Sequence, residues 1–165
     1  MTPAGTDEAR VRSFEPADRF RKLFRIGNAF MVPLLRSRLG ARMKDLALLT
    51  YTGRKTGRRY TIPVGIHELD GDAVVLTASG WKANLRGGAE VEIRTGGRSR
   101  ACHAEVVEEP DEVARIYGGL LGRVGLSKAT RVGLKVDGDR MPTRGELVSA
   151  IGDRRAVVRL EPSPS

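Results

Sequence analysis

The period of the hydrophobic positions changes near residue 45. Before it, Phe20, Leu23, Phe24, Gly27, Phe30, Met31, Leu34 and Leu35 recur at helical spacing. Pro16 suits the first turn of that helix, and Pro33 falls inside the pattern, where it should kink or split it. After residue 45 the chain turns to short runs separated by tight-turn residues. Strands are predicted over Leu46–Thr52, Arg59–Leu69, Ala73–Ser79, Ala89–Thr95 and Arg98–Val107, with turns at Asp70–Gly71–Asp72 and Gly96–Gly97. Pro63 marks the second strand as an edge or a bulge. Pro110 and Asp111 open a helix to about Leu121. Thr143 and Glu146 have the spacing of a capping box for a short helix ending at Ile151. Residues 155–160 read as a closing strand.

This order predicts a mainly β (α+β) fold. Its centre is an antiparallel split β-barrel, with an N-terminal amphipathic helix and C-terminal helices. Residues 1–14 and 162–165 read as tails and 15–161 as one domain. Within it, 15–44 are the N-terminal helical segment, 46–107 the central barrel, 110–151 a helical part and 155–160 the closing strand. A chain of 165 residues suits one such domain.

Composition narrows the function classes. The net charge is +9, and it is unevenly spread. Ten Lys/Arg face three Asp/Glu between Glu8 and Lys44, and Gly53–Tyr60 has four basic residues and no acid. Glu105–Glu112 is an acidic counter-patch. Nucleic-acid binders more often pair basic clusters with exposed aromatics, and aromatics are only 5% here, so no nucleic-acid partner is expected. Arg19, Arg21, Lys22, Arg25, Arg36 and Arg38 make residues 15–39 a cationic amphipathic segment. It reads first as a cap on the barrel and second as a peripheral contact with anionic membrane. No apolar run reaches the ~20 residues of a membrane span and no signal core is present, so a cytoplasmic location is expected, with membrane association as the variant.

The chemistry-bearing residues are few. One cysteine, Cys102, excludes an internal disulfide. His67 and His103 have no neighbour at metal-ligand spacing, so no metal is expected. Cys102 and His103 are adjacent on a strand, and their side chains must point to opposite faces. The loop Gly53–Arg54–Lys55–Thr56–Gly57–Arg58–Arg59 lacks the Gly-x-x-x-x-Gly-Lys-Ser/Thr order, so it is no Walker A loop. Its glycines, cations and hydroxyl nevertheless suit a phosphate, with a solvated turn as the alternative. Thr77–Ala78–Ser79–Gly80–Trp81–Lys82–Ala83–Asn84 brings small residues next to the sole tryptophan. Trp81 and Asn84 are three apart, on one face of a helical turn.

Together these blocks resemble the deazaflavin-dependent nitroreductase family of the flavin-binding split β-barrel superfamily. The likeness runs through Leu48–Gly57, Thr61–Val64, Asp70–Asp72, Ala78–Ser79, Trp81–Leu85, Glu90–Ile93 and Gly97–Arg98. It implies coenzyme F-420, a deazaflavin with an anionic phosphodiester and glutamate tail. Arg54, Lys55, Thr56 and Gly57 then correspond to the tail-binding loop, with Tyr60 beside it. Thr77, Ala78, Ser79, Gly80, Trp81 and Asn84 line the ring region, and Ser79 is the candidate catalytic hydrogen-bond donor. The implied reaction is hydride transfer to a small-molecule acceptor: a quinone, an enone or a nitro compound. The likeness also admits a homodimer. The loop at Gly80 is shorter than the family's, and Arg59–Tyr60 stands where Pro-Arg is usual. These departures keep two alternatives open: a non-catalytic barrel holding a fatty acid or other apolar ligand, and an FMN-binding barrel.

Overall fold

The longest predicted strand is the one that shapes the sheet. In the computed structural model, which describes residues 10–13 and 31–164, the expected Arg59–Leu69 strand breaks at Ile66. β3 (Arg59–Gly65) pairs with β2 (Leu46–Thr52), and β4 (His67–Leu69) pairs with β5 (Asp72–Thr77). With β6 (Ala89–Thr95), β7 (Arg98–Val107) and β9 (Ala156–Pro162), these form one seven-stranded antiparallel sheet of order β3-β2-β6-β7-β9-β5-β4. β3 and β4 occupy opposite ends of that order, yet one residue joins them. The sheet therefore has to curl until its ends meet, and β3 packs against β5 across the gap. The Ile66 N–H donates to the Asp45 carbonyl at 3.0 Å, which ties the crossing to the start of β2. The result is the expected split barrel, and Pro63 lies, as expected, on an edge strand.

Burial follows from which faces are covered. β6 and β7 alternate: Val91, Ile93, Cys102 and Ala104 fill the interior, while Glu90, Glu92 and His103 face out. β5 and β9 do not alternate, because both of their faces are buried. Val75, Val158 and Leu160 point into the barrel; Val74 and Val157 point to the helical layer. That layer is α2 (Pro110–Val124) and α3 (Arg144–Ile151), packed through Val113, Ile116, Tyr117, Leu120, Leu121, Leu147 and Ile151. Glu109 caps α2 by accepting from the N–H groups of Asp111 and Glu112. The expected capping box of Thr143 and Glu146 starts α3. At the tight turns, Asp70 and Gly71 both have positive φ (54° and 88°), as a two-residue hairpin loop requires.

Four boundaries change. Arg10–Ser13, read as part of a loose tail, form strand β1, paired with β8 (Leu134–Asp137), which the pattern did not suggest. β5 stops at Thr77, because Ser79 turns back to bond the Thr77 hydroxyl. β9, the expected closing strand, runs from Ala156 to Pro162 and takes a central place in the sheet, between β7 and β5. α2 continues to Val124 and stops at Gly125. Residues 31–36 are helical and are the described part of α1. The rest of the expected N-terminal helix, and with it most of the segment proposed for membrane contact, lies outside the described residues. No helix among the described residues is long and apolar enough to cross a membrane.

The α3 cap gives a pH test. A fork from Arg140 (2.7 and 3.0 Å) and the Thr143 N–H (2.7 Å) hold the Glu146 carboxyl down to about 2, below its ordinary 4.5. A carboxyl depressed in the folded state stabilises above its unfolded pKa, and that contribution is lost as pH falls from about 4.5 towards 2. Glu146→Gln should therefore destabilise at pH 7, and the gap to wild type in denaturant midpoint should close between pH 5 and pH 2.

Candidate functional site

β2 and β3 meet at one end of the barrel in the loop Gly53–Arg58. Two hydrogen bonds close it: Gly53 N–H to the Arg58 carbonyl and Gly57 N–H to the Gly53 carbonyl, both 2.8 Å. Gly57 sits at φ +64°, where glycine is favoured. The Thr56 hydroxyl accepts from the Arg58 N–H at 3.3 Å and lies 3.1 Å from the Tyr60 hydroxyl. The Arg54 N–H donates to Asn84 Oδ1 at 3.0 Å. Four of the six loop N–H groups are thus spent inside the protein, leaving those of Lys55 and Thr56 to donate outward.

The pairing of β2 with β3 sets Tyr51 directly opposite Tyr60. Their rings stack with centroids 5.5 Å apart, and Trp81 stacks on Tyr51 at 5.9 Å. The order Tyr60–Tyr51–Trp81 makes a three-ring wall. Tyr51 is buried, and burial, with Tyr60 adding to it, pushes its phenol above the usual range. Trp81 lies in the 3-10 turn Gly80–Leu85, which Leu85 pins into the barrel core. Lys82 Nζ holds the turn by donating to the carbonyls of Ser79 and Arg154. The Asn84 amide donates to the Trp81 carbonyl at 3.0 Å.

Between loop and turn lies a cleft of about 460 Å³, a size that suits a small-molecule ligand. It brings together the sequence-predicted Arg54, Lys55, Thr56, Tyr60 and Asn84, with Trp81 behind Tyr51. Gly57 shapes the loop without lining the cleft. Thr77 ends β5 and, with the exposed Ala78, Ser79 and Gly80, also lies off the cleft wall. Gly53, the first residue of the expected anion loop, also lines it, as do Tyr51 and Ala83, which were not among the predicted site residues. The one available signal for Tyr51 was the hairpin register, which opposes it to Tyr60.

The charges at the cleft are uncompensated. Among the described residues, Arg54, Lys55, Arg58 and Arg59 form no ion pair, although Arg86, Arg115, Arg140, Arg144 and Arg159 all do. Four unpaired cations in one hairpin give a positive field suited to an anion. Elsewhere the reactive side chains are occupied. Cys102 is fully buried, and that burial pushes its thiol up. His103 is on the other face of β7, with Nδ1 2.8 Å from Glu90, so the two form no dyad. His67 is lowered by its burial, partly offset by Asp45.

Residues 28–124 match the F420H(2)-dependent quinone reductase family. The chain belongs to that family. Its members are oxidoreductases that use reduced coenzyme F-420, and the matched region contains the whole cleft. No curated protein matches the chain in sequence. Similar solved structures include a conserved hypothetical protein from Mycobacterium tuberculosis (20% identity, covering 82% of this chain and 80% of that one, TM-score 0.45). They also include the heme storage protein HutZ from Vibrio cholerae (13%, 84% and 92%, 0.48) and an F-420-dependent reductase (17%, 72% and 95%, 0.41). The cleft fits this cofactor on its own chemistry. It offers unpaired cations and two unspent N–H groups for an anionic tail, beside aromatic rings for a flat ring system.

Gly53 is a steric test of the loop. A Cβ there would lie 2.6 Å from Thr56 Oγ1 and 2.7 Å from Tyr60 Cε2. Gly53→Ala should displace the Tyr60 ring and cost about 1–3 kcal/mol, read by thermal denaturation together with a change in Trp81 fluorescence.

Proposed function

We propose that this F-420-dependent reductase passes hydride to a quinone-type acceptor, with enones and nitro compounds as further acceptors of the same electron-poor class. The observation that carries this reading is the cleft that joins the unpaired Arg54–Lys55–Thr56 loop to the Tyr60–Tyr51–Trp81 wall. When bound, reduced F-420 supplies the hydride. The protein's part is binding, orientation and electrostatics. Arg54 and Lys55 hold the anionic tail by charge, and their guanidinium and ammonium groups take no part in the transfer. The Lys55 and Thr56 N–H groups and the Thr56 hydroxyl add neutral donors. Tyr60 and the rings behind it exclude water from one side of the cleft. Ser79, exposed where β5 runs into the 3-10 turn, is the candidate donor to ring or acceptor.

Titration with F-420 tests this reading. Micromolar binding and turnover of menadione with the reduced cofactor are expected. Absence of binding at micromolar cofactor overturns it.

Arg54→Ala and Lys55→Ala should each weaken F-420 binding about ten- to a hundredfold, because a hydrogen bond to a charged group contributes roughly 1.5–3 kcal/mol. The affinity should fall as salt is raised, and less steeply in either variant.

A further inference from the structure

We propose that Asn84 is a positioning residue that couples the anion-binding loop to the Trp81 ring wall, so that an anion seated in the loop is felt at the ring site. Its place three residues after Trp81 suggests a direct contact with the cofactor ring. The hydrogen bonds give it a second role within the protein. Both ends of its amide are occupied within the protein: Oδ1 accepts the Arg54 N–H and Nδ2 donates to the Trp81 carbonyl, each at 3.0 Å. The partners fix the amide orientation, because an N–H can only donate and a carbonyl can only accept.

Position makes this link consequential. Among the described residues, the Arg54–Asn84 bond is the only hydrogen bond that leaves the β2–β3 hairpin from the Gly53–Arg58 loop. Every other bond of the loop stays inside the hairpin. Asn84 is half-buried, and its turn is anchored by the fully buried Leu85. The loop thus borrows its fixed position from the turn that carries Trp81. The Arg54 side chain follows the same path, with its guanidinium 3.6 Å from where a Cβ on Gly87 would stand, just past the turn. An aspartate would keep the acceptor and lose the donor, and an alkyl side chain would lose both. Only an amide of this length serves both partners.

The coupling rests on the reading that the cleft binds F-420, and the test separates the two. Trp81 is the only tryptophan, so its emission reports the wall directly. Inorganic pyrophosphate, titrated at constant ionic strength, should change Trp81 emission saturably in wild type. In Asn84→Ala that response should disappear, and F-420, followed by its own fluorescence, should bind at least tenfold more weakly. Lys82→Ala is the control: it removes the two other ties of the turn and should keep the pyrophosphate response. If Asn84→Ala does not fold, Asn84→Gln, whose amide stands one methylene too far out, should show the same loss. Wild-type F-420 affinity in the Asn84 variant, or an undiminished Trp81 response, overturns the coupling and leaves the F-420 reading intact. A wild-type protein that binds neither pyrophosphate nor F-420 overturns both.

Discussion

One residue, Ile66, stands between two strands at opposite ends of the same sheet. A flat seven-stranded sheet would hold its edges roughly 28 Å apart at ~4.7 Å per strand. One residue spans at most about 3.6 Å. The single-residue link is therefore incompatible with any open sheet, and closure is imposed by connectivity before any side chain is considered. Interior packing then fills what the connection encloses, with Leu49, Val75, Val91, Ile93, Val158 and Leu160 converging from four strands.

The site inherits its rigidity from this closure. The β2–β3 hairpin is one wall of the barrel, so the loop at its tip has a fixed base. The turn carrying Trp81 and Asn84 connects β5 to β6, which are separated in the sheet by β7 and β9. Bringing that turn beside the hairpin is a property of the closed barrel, since β6 neighbours β2 and β5 faces β3 across the gap. The charged loop and the ring wall, built on the same β2–β3 hairpin with Trp81 added by the turn, have different tasks. One attracts an anion over distance; the other offers contact only.

Much of this was legible in the sequence, and the exceptions share a cause. Strands with one wet face, β6 and β7, announce themselves by alternation, and the Asp70–Gly71 turn by its chemistry. β9 opens with three consecutive buried apolar residues, Ala156–Val158, so its pattern gives a strand but not its neighbours; its central place depends on contacts with β5 and β7, fifty or more residues away. β1 and β8 are four residues each and stabilise one another, which no local signal reports. At the site, the basic loop was readable because unpaired cations flanked by glycines are uncommon. Tyr51 was not, because an aromatic in Leu46–Thr52 reads as core, and it is indeed buried. The small residues Ala78, Ser79 and Gly80 suggested a seat for a ring, whereas in the fold they lie beside the cleft. Asn84 was singled out for its spacing from Trp81, but its two internal partners could be seen only in three dimensions.

The central position of β9 also dictates an order of events during synthesis. It follows every other strand of the sheet in sequence, yet both β5 and β7 take their second partner from it. Until residues 156–162 have emerged, those two strands have open edges, and Val75, Ala104 and the inner faces around them lack their lid. From the completion of β7 at Val107 until β9 begins at Ala156, the nascent chain therefore has two unpaired strand edges, a state that invites aggregation. This makes β9 the closing step of folding, and truncation or slow translation ahead of it a hazard for solubility, with no bearing on the chemistry of the cleft.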